Sequence, residues 1–376
     1  MSKCLRIGRK AYLVFIAITL MGTAAMAQLQ LPEGGTNFKC MAGRRVGITD
    51  IEVNWNAPGV KGREGKIWGT PVAHYGFTVL GFGSNAPSPW RAGANENTTI
   101  AFSTDVTING KKLAAGKYGF HIALAPDSCT LIFSKNTAAW GSYFYKSEND
   151  ALRVTAIQQK NQPVSKERLD YTFSNQTDRS VELALEWEKW RIPFKVEVDL
   201  TATTLASIRA QLSSSMGFDP PSLEAGATWC LQNNVNLDEA LGWINSATDP
   251  QMGGVKSFRA LSTKAGLLAK MGKQAEADKL METAMESGTV NEIHGYGRQL
   301  LGEKRVKEAV AVFEANHKKF NGAWPTNAGL MRGYSAAGDL KKALEYAEKA
   351  LAQAPNPQSK TVIEQAIATL KGGKAL

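Results

Sequence analysis

A change in hydrophobic period near residue 200 divides this chain into two halves that cannot share one kind of fold. From about 38 to 199 apolar residues alternate with polar ones, as in Ile51/Val53/Trp55, Ile100/Phe102, Tyr118/Phe120/Ile122/Leu124 and Val181/Leu183/Leu185/Trp187. Further stripes are Leu131/Phe133, Leu152/Val154, Leu169/Tyr171/Phe173 and Ile192/Phe194/Val196/Val198. A period of two buries one side of each strand. Asn109-Gly110, after Val106/Ile108, is a two-residue hairpin signal, since both central residues of that turn take positive φ. Some nine strands with no helix between them read as an antiparallel β-sandwich or barrel.

From about 200 the period becomes 3.6, beginning with Leu200, Leu205, Ile208 and Leu212. Helix pairs recur, and the second helices carry anchor alanines at Ala240, Ala277, Ala309 and Ala343. Their spacing is near 34 residues, with Gly272 and Gly338 at the intra-pair turns, and it resembles the tetratricopeptide repeat. The small alanine lets helices approach, while Leu280, Phe313 and Leu351 fill the layer between them. A generic helical bundle is the alternative; regular spacing favours stacked hairpins, with the helix after Pro357 as a cap.

Residues 1–27 carry Lys3, Arg6, Arg9 and Lys10, then an apolar run from Ala11 to Met21, then Ala25-Met26-Ala27. That order is a signal peptide with cleavage expected between Ala27 and Gln28, and the run is short of the ~20 residues a membrane span needs. The expected domains are therefore a signal peptide at 1–27, a β domain at 28–199 and a helical repeat domain at 200–376, in a periplasmic or secreted protein. The formal charge of +10 loses four bases with the signal, leaving 40 basic against 34 acidic residues, or +6. Those charges form no basic block, which argues against a nucleic-acid partner. An export address permits disulfides, and Cys40–Cys129 is the expected pair because both lie in the β half; Cys230 reads as a small buried helix residue.

Motif chemistry is sparse. The sequence has no G-x-S-x-G, H-E-x-x-H, phosphate-binding loop or dinucleotide fingerprint, no metal pattern, and no cofactor is expected. Among the four histidines, His74 precedes a Gly-rich loop and His121 lies on the strand face opposite Phe120 and Ile122, which reads as plain surface or a cavity floor. His294 and His317 read as solvated or inter-repeat positions. Three loops are rich in aromatic, basic and glycine residues: Lys61, Arg63 and Trp68 in one, Trp90, Arg91, Asn95 and Glu96 in the second, and Trp140 in the third. Rings offer stacking surface and arginine a bidentate fork, so these eight form a candidate ligand rim expected to gather at one end of the β domain. The competing reading makes them local ion pairs and a plug for the sandwich end.

The stretches Pro58–Arg63, Ile67-Trp68-Gly69, Trp90-Arg91-Ala92-Gly93-Ala94-Asn95-Glu96 and Leu113–Tyr118, with Leu185-Glu186-Trp187-Glu188 and Ile192-Pro193-Phe194, resemble bacterial domain-of-unknown-function family 2911. The resemblance covers about 38–198 and implies an exported β domain, commonly with a helical tail, and no mechanism. His74-Tyr75-Gly76 is followed here by a longer loop through Phe77, Val79, Phe82 and Pro87 than the family pattern has. Cys129 replaces a common aromatic, which adds to the expected Cys40–Cys129 bridge. The resulting expectation is a binding module for a small polar ligand, a glycan or an envelope protein, with the repeats as a second docking surface. The alternatives are a hydrolase or isomerase in which Glu96 converges with His74 or His121 as acid and base, and a structural envelope scaffold. The acid/base alternative requires a raised Glu96 pKa.

Overall fold

The computed structural model describes residues 36–376, so the expected signal segment and its cleavage site lie outside the described residues. The chain divides between Thr203 and Thr204 into two compact units.

In the first unit the alternating stripes become strands in two main sheets. A six-stranded sheet runs in the order β1 (Phe38–Val46), β2 (Thr49–Ala57), β5 (Thr99–Phe102), β8 (Gly116–Leu124), β9 (Cys129–Ser134), β10 (Asp150–Ala156). A five-stranded sheet follows the order β11 (Lys166–Ser174), β12 (Ser180–Glu188), β13 (Trp190–Glu197), β6 (Val106–Ile108), β7 (Lys111–Leu113). A small ribbon, β3 (Thr78–Val79) with β4 (Pro87–Ser88), is built from the long loop after His74. Every pairing in these sheets is antiparallel. The β6–β7 turn has Asn109 at φ 44° and Gly110 at φ 81°, the geometry that Asn-Gly accepts at least cost.

The sheets face each other across one apolar layer. Phe120 of β8 lies 5.7 Å from Phe194 of β13 and 6.2 Å from Tyr171 of β11, centroid to centroid. Phe120, Ile122, Leu131, Phe133, Leu183, Leu185 and Trp187 are fully buried there, and each contributes about 1.5–3 kcal/mol through burial. This is the β-sandwich.

Cys40 and Cys129 are not bonded. Strands β2, β5 and β8 separate β1 from β9, which at about 4.8 Å per strand puts the two strands about 19 Å apart, far beyond disulfide reach. Lying in the same half of the chain did not make them neighbours. Burial pushes the Cys129 thiol up to about 12, and Cys230 is buried on a helix, as read from the sequence.

Ten helices follow: α1 (Leu200–Leu212), α2 (Pro220–Asn233), α3 (Leu237–Ala247), α4 (Phe258–Lys270), α5 (Gln274–Ser287), α6 (Val290–Gly302), α7 (Val306–Lys319), α8 (Trp324–Ala336), α9 (Leu340–Ala352) and α10 (Pro357–Lys371). Four hairpins, α2–α3, α4–α5, α6–α7 and α8–α9, follow in order; the first packs on the second, the third on the fourth and α10 on α9, and one apolar core runs from Phe258 to Leu370. The anchors Ala240, Ala277, Ala309 and Ala343 are all buried, each on the second helix of its hairpin. Gly272 and Gly338, both at φ 81°, close the intra-pair turns in a conformation that costs other residues a strained backbone. Phe313 fills the space left by Gly297, Gly329 and Gly333, where an added Cβ would come within 2.4–2.9 Å of its ring. No helix among the described residues is long and apolar enough to cross a membrane.

Candidate functional site

The loop after β2 is fixed by its own polar groups. Arg63 donates from Nε to the Val60 carbonyl (2.9 Å) and from Nη2 to that of Gly59 (2.7 Å), so this guanidinium closes a turn. Lys61, at φ 52°, is exposed, and its backbone N–H donates to Glu167 Oε1. Trp68 stacks on Trp190 at 4.5 Å and meets Trp90 and Trp187 edge-on. Its Nε1 donates to Glu188 Oε2 at 3.0 Å, and Glu188 Oε1 accepts from Gly65 N–H. Glu188 is buried, with φ 51°, and its carboxylate thus ties the loop to the turn between β12 and β13. Trp68 and Trp90 are packing residues of this four-tryptophan cluster. Lys61 and Arg63 stand apart from the clefts described below.

After Trp90 the chain lies beside β8, bridging Trp90 to Ile122 beyond the point where β5 begins. Phe120 and Ile122 point into the sandwich, so His121 points the other way. That outer face is not open. The loop 135–149 covers it, and Ala123, Ile132 and Tyr145 form a small second core there. His121 is only 2% exposed, its Nδ1 lies 3.0 Å from Ser142 Oγ, and its ring meets Tyr145 edge-on. Burial, and secondarily the charge of Arg91, lowers its pKa to about 4, so the imidazole is neutral at pH 7. The plain-surface reading of His121 is replaced by burial, because the long β9–β10 connection folds back over β8; His121 itself is not among the residues that line the clefts described below.

Between this loop and the 69–93 segment lies a cleft of about 660 Å³, lined by His74, Tyr75, Trp90, Arg91, Ser142 and Tyr143 among others. Arg91 is half-buried in its wall. Its Nη1 donates to the Asn95 carbonyl at 2.7 Å, its guanidinium lies 4.7 Å over the Tyr143 ring, and Gly141 leaves room for it. Of its five N–H donors the other four have no protein partner among the described residues, and no carboxylate pairs with it. His74 Nδ1 is buried without a partner; burial lowers the pKa of this ring, with the backbone of Tyr75 opposing and Arg91 reinforcing the effect. The cleft therefore holds one permanent cation and one neutral histidine beside a half-exposed tyrosine.

Glu96 and Trp140 line a different cleft of about 550 Å³, together with Lys39, Cys40, Asn56 and Lys117. Glu96 accepts from Asn56 Nδ2 at 3.1 Å and pairs with Lys39 Nζ at 3.1 Å. The Asn56 hydrogen bond foremost, with Lys39, holds its carboxyl below the usual range. Glu96 is thus engaged with Asn56 and Lys39 and shares no cleft with His74, and its pKa moves opposite to the direction acid catalysis requires. The acid/base alternative therefore lacks its convergence of Glu96 with His74 in one cleft. Asn95, at φ 55°, takes part through its backbone carbonyl to Arg91, while its Oδ1 accepts from Asn37. The local ion pairs that the competing reading would take from these loops, Arg91–Glu96 and Lys61–Glu64, are absent among the described residues.

Sequence reasoning passed over Ser142 and Glu188. The first sits in the Trp140-Gly141 turn, where Gly141 at φ 58° makes room for Arg91; the second stands out only as an acid within a strand stripe. Residues 39–196 match the model of a family described as "Protein of unknown function (DUF2911)". No curated protein matches the chain.

Proposed function

Taking as premise that the β domain belongs to the DUF2911 family, we propose that this domain is a binding module whose 660 Å³ cleft takes a small polar ligand through a carboxylate on Arg91. One observation carries the reading: a half-buried guanidinium with four unused donors and no counter-carboxylate faces a cleft. A charged hydrogen bond in such a place is worth about 1.5–3 kcal/mol, and a carboxylate matches the fork. Beside it, His74 lines the cleft and Tyr75 offers a ring for stacking. Acidic sugars combine these features and serve as probes.

The test is equilibrium binding of glucuronate and galacturonate, with glucose as the neutral control, to the native protein and to Arg91→Ala. The expected result is saturable binding of the acids, none of glucose, and loss of binding in a variant that melts at nearly the native temperature. If Arg91→Ala chiefly unfolds the β domain, Arg91 is a structural clasp and the binding reading fails.

A further inference from the structure

The helical domain holds two guanidiniums that make no ion pair within the described chain. Its five arginines divide sharply. Arg209 holds Glu239, Arg259 holds Glu224, and Arg305 holds Asp278 and Glu308. Arg298 and Arg332 have no ion-pair or hydrogen-bond partner among the described residues.

They are also brought together. His294 and Arg298 are four residues apart on α6 and share a face of it. On α8, Gly329 and Arg332 are three apart and share a face likewise. The faces meet, since a Cβ on Gly329 would stand 3.0 Å from His294 Nδ1. Both helices open their hairpins; Arg298 is exposed, and Arg332, half-buried, also lines a cleft with Gln365, Thr369 and Leu376. Burial and then the charge of Arg298 lower the pKa of Arg332. Burial first, then both guanidiniums, lower that of His294, with the Pro325 backbone opposing. Like charges held close destabilise a fold, and His294 Nδ1 is in addition buried without a partner.

We infer that His294, Arg298 and Arg332 form a binding site for a phosphate group, free or as a monoester. Two unpaired positive charges call for a dianion. A phosphate monoester carries about −1.5 to −2 at pH 7 and three acceptor oxygens, whereas one carboxylate would leave a charge uncompensated. The site lies in the helical domain and does not depend on the β-domain cleft.

The experiment titrates inorganic phosphate, glycerol 3-phosphate and acetate, at fixed ionic strength, into the full chain. It follows the His294 ring resonances, assigned with His294→Gln, and the heat of binding. Both phosphates are expected to shift His294 saturably, while acetate at equal concentration does not. Arg298→Gln and Arg332→Gln should each weaken binding at least tenfold without lowering the melting temperature, because each relieves a repulsion. Glycerol 3-phosphate binding tenfold tighter than inorganic phosphate identifies a monoester as the ligand; equal affinity identifies the free anion. No saturable shift, a shift that survives the double variant, or acetate binding as well as phosphate overturns the site.

Discussion

His121 offers the most quantitative test of how the β domain is built. Folding buries this imidazole against Ser142 and Tyr145, and its pKa falls from 6.5 to about 4. At 1.36 kcal/mol per unit that difference corresponds to about 3 kcal/mol. The sign follows from proton counting. Above pH 6.5 neither state binds the proton, so the full stability is present; between 6.5 and 4 the unfolded chain takes up a proton that the folded one refuses, and stability drains away. Carboxylates titrate in the same range, so the useful quantity is the difference between the native protein and His121→Gln, which keeps a polar group for Ser142 and cannot ionise. Hydrogen exchange of peptides from β8 and β9, read by mass spectrometry from pH 7.5 to 4, reports local opening free energies. The native protein should lose about 3 kcal/mol more than the variant across that window. Parallel curves would show that His121 does not titrate as a buried neutral group, and its burial under the β9–β10 loop would be wrong.

The cysteine geometry predicts that alkylation of the denatured, unreduced chain labels Cys40, Cys129 and Cys230 alike; a protected Cys40–Cys129 pair refutes the sheet order. Gly297→Ala drives a Cβ to 2.4 Å from the Phe313 ring, and calorimetry should find the helical transition lowered by about 1–3 kcal/mol, as for other overpacked cores. Glu188→Gln removes the charge that the Gly65 N–H and Trp68 Nε1 share. It should cost about 1–3 kcal/mol and alter the near-UV dichroism of the tryptophan cluster, and an unchanged spectrum would deny the tie.

What the sequence disclosed was periodicity. Strands, hairpin turn and stacked helix pairs follow from side-chain spacing and from residues with one conformational task, such as Asn109-Gly110 and Gly338. The anchor alanines were legible because only a small residue allows close helix contact. Sheet order was not. Nothing local to Cys40 or Cys129 records that three strands intervene between theirs, so chain half was a poor proxy for distance. The eight expected rim residues go to several different destinations. Arg63 closes its own turn, Trp68 and Trp90 pack together, and Glu96 is engaged by Asn56 and Lys39.

The reason a cleft exists at all lies in a second layer that alternation cannot announce. Period two says that His121 and Ala123 face away from the sandwich, and by default that side is water. The β9–β10 connection buries it by laying Ser142 and Tyr145 over β8, and the same loop supplies Ser142 and Tyr143 to one wall of the cleft. Gly141 lets the same loop approach Arg91, and Tyr143 covers one face of the guanidinium. The opposite wall is the 69–93 segment, whose β3–β4 ribbon is anchored when Ser84 donates to the Tyr143 carbonyl. An added Cβ at Gly83 would stand 2.3 Å from that same oxygen, in a backbone at φ 67° that already resists side chains. Gly83→Ala should therefore detach the ribbon from Tyr143 and open the cleft on one side, leaving the sandwich core intact. Acid-sugar binding would weaken while the exchange of β8 and β9 stays native. Loss of exchange protection throughout β8 and β9 would instead mean that the two walls and the strands beneath them fold as one unit.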